Sequence, residues 1–147
     1  DMGTGSGIQA ITASEVSNDV TAVDVNPECI EKLNNPKIKT VLSSLFAKVE
    51  GKFDLILFNP PYLPRDPDEP EDSALATTGG EKGSEIIEEF LNQAKAHLTE
   101  NGRILLLYSS LSGKTEEIAK TNYSFNILAE ESFDFEKIYV AKLKIIT

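Results

Sequence analysis

An alternation restricts the fold more than any other feature of this sequence. Runs of β-type residues at Asp19 to Val25, Lys37 to Leu42, Phe53 to Phe58 and Arg103 to Tyr108 are separated by stretches with helical spacing. Strands that alternate with helices pair by crossing over, so the pattern predicts an α/β fold with helices on both faces of a parallel sheet. Gly7 to Ser14 reads as a first helix, and Asn26 caps a second with Pro27 at its first position. Ser84 is placed to cap a longer helix running to Leu98 and ended by Asn101-Gly102, with Ile86, Ile87, Phe90, Leu91 and Ala94 on one apolar face. Beyond it, Ser124 to Phe133 and Lys137 to Ile146 flank a short connection and read as a hairpin, which adds an antiparallel edge to the sheet.

With 147 residues, 40% apolar content and no internal repeat, the chain suits a single domain over 1–147 with its own core. It opens on Asp1-Met2-Gly3, where the central strand of such a sheet should already be ending, so most of that strand is expected to precede residue 1. No apolar stretch is long enough for a membrane span. Cys29 is the one cysteine and no Cys/His group has metal-ligand spacing, which suggests a reducing cytoplasm and no metal. Against 24 acidic side chains stand 14 basic ones, and the resulting charge of −10 disfavours unaided nucleic-acid binding.

The stretch DMGTGSG, Asp1 to Gly7, has glycines at 3, 5 and 7, where a chain leaving a strand turns sharply and lets a ligand approach its backbone. Dinucleotide-binding loops space the third glycine one residue later. An acidic residue at the head of the loop also repels a pyrophosphate and suits a cationic or amine-bearing ligand. Further on, TAVDVNP ends a strand in Asp24, where a carboxylate can accept from both hydroxyls of a ribose. Adenosine with a positively charged tail satisfies both positions, and S-adenosylmethionine is such a molecule.

A third motif closes the set. The apolar run KFDLILF stops abruptly in Asn59-Pro60-Pro61-Tyr62. An amide or amino nitrogen is a poor nucleophile because its lone pair is delocalised, and two acceptors aimed at its hydrogens would favour the reactive geometry. The Asn59 side-chain oxygen and the Pro60 carbonyl are candidates, with φ fixed at both prolines. Tyr62 offers an aromatic face on which a flat group can stack.

In that order and spacing, DMGTGSG, AVDVNP and FNPPYLP resemble the HemK/PrmC family of class I S-adenosylmethionine-dependent methyltransferases, and the likeness runs through essentially the whole chain. The short form, with ATTGGEKGSEIIEEF after the third motif, is most similar to the archaeal and eukaryotic branch. The resemblance implies a doubly wound, Rossmann-like sheet and methylation of the glutamine in the Gly-Gly-Gln loop of a translation release factor. It implies a cofactor site from Asp1, Gly3, Thr4, Gly5, Gly7, Asp24, Val25, Ser44, Leu45 and Asn59. The substrate amide falls to Asn59, Pro60, Pro61 and Tyr62, with Asn59, Pro60 and Tyr62 as the catalytic group. It also implies a small zinc-binding activator subunit beside the strand that carries Ile38 and Val41. One departure stands out: where the family commonly has Ser-Asp-Leu, its aspartate facing the adenine amino group, this chain has Ser43-Ser44-Leu45.

Two other readings compete. Asn-Pro-Pro-aromatic also suits the exocyclic amino group of a DNA or RNA base, although base-directed enzymes usually need a basic channel. A non-catalytic cofactor-binding scaffold would have no use for two fixed acceptors. The segment Arg65 to Ser73 reads as a stiff acidic loop, or a rim over the substrate entrance, and Gly79, Gly80 and Gly83 as flexibility before the long helix. His97 reads as a helix-end residue without a catalytic role.

Overall fold

The computed structural model describes residues 1–147. Six strands are observed: β1 (Val20–Asp24), β2 (Ile38–Leu42), β3 (Phe53–Phe58), β4 (Leu98–Ser109), β5 (Tyr123–Ser132) and β6 (Lys137–Ile145). The helices are α1 (Ile8–Ser14), α2 (Pro27–Lys32), α3 (Glu71–Thr77), α4 (Glu85–Ala94) and α5 (Thr115–Lys120). β1 pairs with β2 in parallel, and the other strands follow the order β3-β4-β6-β5, with β6 antiparallel to both of its neighbours. Met2 joins the two groups. It bridges Val23 and Phe58 in parallel, and its N–H donates to the Leu57 carbonyl at 2.8 Å. The result is a mostly parallel α/β sheet whose one antiparallel strand belongs to the C-terminal hairpin.

Period-two alternation sends neighbouring residues of β1 into different cores. Val20 and Ala22 join Ala10, Leu33 and Ile38 in a small cluster under α1 and α2. Val23 joins the larger cluster, where Ile87, Phe90, Leu91 and Ala94 of α4 lie fully or almost fully buried. Phe90 sits 4.3 Å from Phe58 and 5.6 Å from Phe46, ring centre to ring centre. Removing its ring would cost about 3 to 5 kcal/mol by the usual cavity rule. Buried Tyr123 anchors the hairpin by donating its hydroxyl to the Leu91 carbonyl at 2.6 Å, and burial pushes its pKa up to about 12.

Several local expectations are corrected. The long helix ends at Ala94, passes through a 3-10 turn at Lys95–His97, and Leu98 already pairs with Phe53. Asn101-Gly102 therefore lies inside β4, in a bulge between the Phe53/Leu98 and Leu55/Arg103 pairs. Ser84 gives no side-chain cap; the Glu85 carboxylate instead accepts from the N–H groups of Lys82 and Ser84 at 2.9 and 3.1 Å. Asn26 does cap α2, accepting from the Glu28 N–H at 2.9 Å. The acidic segment runs into α3, which begins directly after Pro70 and takes up its last three residues.

Candidate active site

A cleft of about 670 Å³ opens at the carboxyl ends of β1 and β3, where the glycine loop, Asp24 and the Asn-Pro-Pro-Tyr motif meet. Such crevices are where open α/β sheets bind ligands. Its wall includes Asp1, Gly3, Thr4, Gly5, Asp24, Val25, Ser44, Leu45, Asn59, Pro60, Pro61 and Tyr62, so all but one of the residues singled out from sequence come together there.

Gly7 is the exception. It is buried outside the cleft wall at φ 83°, and a Cβ on it would meet the Leu33 side chain at 2.6 Å. Its place in the motif reflects helix packing and the left-handed entry into α1.

Two carboxylates shape the first wall. Asp1 Oδ2 accepts from the Thr4 hydroxyl at 2.7 Å and the Ala10 N–H at 3.0 Å, fastening the loop to α1. Asp24 accepts from the Gly5 N–H through Oδ2 at 2.9 Å and from the Asn26 N–H through Oδ1 at 2.8 Å. Each carboxylate oxygen carries two lone pairs. One bonded N–H per oxygen therefore leaves Asp24 able to accept from two hydroxyls.

The second wall is stiffened differently. Asn59 is exposed to the cleft, and no backbone N–H occupies the Pro60 carbonyl. Behind the motif, a Cβ on Gly79 would lie 2.6 Å from the Pro61 carbonyl oxygen. Gly83, at φ 87°, would place one 2.6 Å from the Tyr62 carbonyl oxygen. These glycines serve close backbone approach, which corrects their reading as flexible spacers. Leu63 continues the brace, donating to the Thr77 carbonyl at 2.9 Å and accepting from the Gly79 N–H at 2.9 Å. Burial, and secondarily the Glu136 carboxylate, hold the Tyr62 hydroxyl above its ordinary pKa and keep it protonated.

Sequence reasoning missed further parts of the wall. Asp72, Leu75, Ala76 and Thr77 come from α3, Ile86 and Glu89 from α4, and Cys29 from α2. Glu89 was detectable as a polar residue three places after Ile86, on the same helical face. His97 plays no part: its ring stacks on Phe46 at 4.5 Å and its Nδ1 lies 3.0 Å from the Gly51 carbonyl.

The charge of the lining is one-sided. Asp1, Asp24, Asp72 and Glu89 face the cleft, and no Lys, Arg or His does. A pyrophosphate would meet four carboxylates without a counter-charge, whereas a ligand with a cationic centre is attracted.

Fold and cleft together define an α/β enzyme of the methyltransferase class. The chain belongs to the methyltransferase small domain family, whose model matches residues 1–135. It is 38% identical, over 95% of its length and 77% of the relative's, to a putative protein N5-glutamine methyltransferase of Methanocaldococcus jannaschii. Over 72% of its length it is 36% identical to the release factor glutamine methyltransferase of Deinococcus radiodurans, of which it spans 43%. Among solved structures, the Mtq2-Trm112 complex of E. cuniculi, responsible for methylating the eRF1 translation termination factor, matches 99% of this chain and 83% of its own. Its TM-score of 0.77 at 24% identity carries the fold.

Proposed function

We propose that this methyltransferase uses S-adenosylmethionine to methylate the side-chain amide of a glutamine, in the Gly-Gly-Gln loop of a translation release factor. One observation carries the reading: a lining whose charged residues are all acidic and the unengaged acceptors at Asn59 and Pro60 share a single cleft. The names of the archaeal and bacterial relatives support the same substrate chemistry.

When bound, the cofactor supplies a methyl group on a positively charged sulfur, for in-line transfer to the amide nitrogen as the C–S bond breaks. Asp24 holds the ribose, while Gly3, Thr4 and Gly5 leave room for the tail beside Asp1. Val25, Ser44 and Leu45 enclose the base. Asn59 and the Pro60 carbonyl accept from the two amide hydrogens, and Tyr62 stacks on the amide plane. The gain comes from orientation and fixed dipoles, and the methylated nitrogen, left cationic, gives its proton to water, so no strong base is required.

The same reading includes a small activator subunit, zinc-binding as the resemblance implies. The partner seen with Mtq2 supports it, as does the edge of β2, which pairs only with β1. Ile38 is buried within the chain's own core, so the half-buried Val41 and the exposed Leu42 would make that contact. A single domain working in the cytoplasm completes the proposal; no helix is long and apolar enough to cross a membrane.

The test is incubation of the chain and its activator with labelled cofactor and a panel of release factor, histone, RNA and DNA. Peptide mass spectrometry should find one added methyl group on the glutamine of the Gly-Gly-Gln loop. Label confined to nucleic acid would overturn the amide reading in favour of an exocyclic amino group.

A further inference from the structure

With Asp24 at the ribose end, a nucleobase falls beside Val25 and the loop after β2, whose Ser43 N–H donates to the Asp24 carbonyl at 2.9 Å and whose Ser43, Ser44 and Leu45 line the same cleft. An exocyclic amino group buried there needs an acceptor, because a desolvated N–H without a partner costs affinity. The loop after β2 offers little. Ser43 is buried, and its hydroxyl is spent on the Leu45 carbonyl at 2.9 Å and the Lys48 N–H at 3.0 Å. Ser44 carries only a neutral hydroxyl.

Glu89 lines the same cleft from α4. It is one of the four carboxylates of the lining, and its position is set by a short relay. The Phe46 N–H donates to Gln93 Oε1 at 3.2 Å, and Gln93 Nε2 donates to Glu89 Oε1 at 3.0 Å. One turn of α4 thus ties the loop to the carboxylate and leaves Glu89 Oε2 uncommitted. The loop end of the relay is itself constrained. Leu45 is the only non-glycine residue with a positive φ, at 46°, a conformation that persists only where its surroundings enforce it.

We propose that Glu89, carried by α4, accepts the hydrogen bond of the nucleobase exocyclic amino group and sets the preference for adenine, with Gln93 as its positioning residue. The proposal rests on the cofactor reading above and adds a base-recognising residue on a different element from the loop where the resemblance expects one. A solvated helix-surface glutamate would have no influence on which base is bound.

Calorimetry with two probes separates these cases: S-adenosylhomocysteine, and its analogue with hydrogen in place of the amino group. The wild-type chain should prefer the amino-bearing probe by about tenfold or more, the scale of a hydrogen bond to a charged acceptor. Glu89→Ala should erase that preference while leaving the affinity for the analogue unchanged. Gln93→Ala should reduce the preference part of the way, and Glu88→Gln, on the outer face of α4, should leave it intact. Equal weakening of both probes by Glu89→Ala, or retention of the full preference, would overturn the assignment to Glu89. A wild-type chain that binds neither probe would remove the cofactor reading and this inference together.

Discussion

The two walls of the cleft reach rigidity by opposite routes. On the glycine-loop side, Asp1 and Asp24 hold the backbone in place by accepting from Thr4, Ala10, Gly5 and Asn26. The groups that would meet the ligand are also the groups that keep the wall in shape. On the Asn59 side, shape comes from two proline rings and from glycines pressed against the backbone behind them. There the side chain that would touch the substrate has no structural duty. A wall of the first kind cannot lose such a carboxylate without deforming, whereas a wall of the second kind can lose its cleft-facing amide and keep its form.

Three substitutions probe that contrast, in order of falling effect. Asn59→Ala should lower turnover by about 100- to 1000-fold, as loss of one preorganised hydrogen-bonding group does, with cofactor affinity nearly intact. Single-turnover kinetics beside calorimetry would show it, and a wild-type rate would break the comparison at its second wall. Gly83→Ala forces a Cβ against the Tyr62 carbonyl and strains a backbone at φ 87°. It should displace the motif and cost turnover roughly 100-fold, with a stability loss of about 1 to 3 kcal/mol. A thermal melt and rate unchanged from wild type would show that the glycine brace is dispensable. Asp24→Ala should weaken cofactor binding by about 1.5 to 3 kcal/mol. It should also speed hydrogen exchange at the Gly5 and Asn26 amides, which lose their acceptor. Weakened binding with unchanged exchange would mean that this wall holds its shape without the carboxylate.

Much of this arrangement was readable beforehand, for specific reasons. β3 spans Phe53–Phe58 as expected because a continuous apolar run ends in prolines that cannot pair. α2 follows from a capping residue and a proline one position later. The other wall contributors were hidden because their signals are short or non-local. α3, at 7 residues, completes fewer than two turns, too few for apolar periodicity to show, and α5, at 6 residues and away from the cleft, was hidden for the same reason. The long helix was overextended because the pairing of Leu98 with Phe53 is a contact between residues far apart in sequence, and it overrides local helix preference. Gly79, Gly80 and Gly83 read as flexibility because sequence cannot reveal that backbone lies against the missing Cβ of Gly79 and Gly83, and the Glu85 side chain against that of Gly80. Glu89 drew no notice in the sequence because it is one of three glutamates on its helix.

The excursion between Tyr62 and α4 is tied shut at its neck: Arg65 Nη1 lies 2.9 Å from Glu81 Oε1, and the Arg65 N–H donates to the Gly80 carbonyl at 3.1 Å. An exposed ion pair of this kind adds little stability by itself. Its consequence is modularity. With both ends pinned, the exposed turn ahead of α3, Asp66–Asp68, is open to lengthening or replacement without disturbing the Asn-Pro-Pro-Tyr motif on one side or α4 on the other. Each doubling of such a loop costs only about 0.6 kcal/mol in closure entropy. Selection can therefore rewrite part of the surface that greets an incoming partner while the site beneath it stays as it is, and a graft of foreign residues at the exposed Asp66–Asp68 turn becomes a practical route to new specificities.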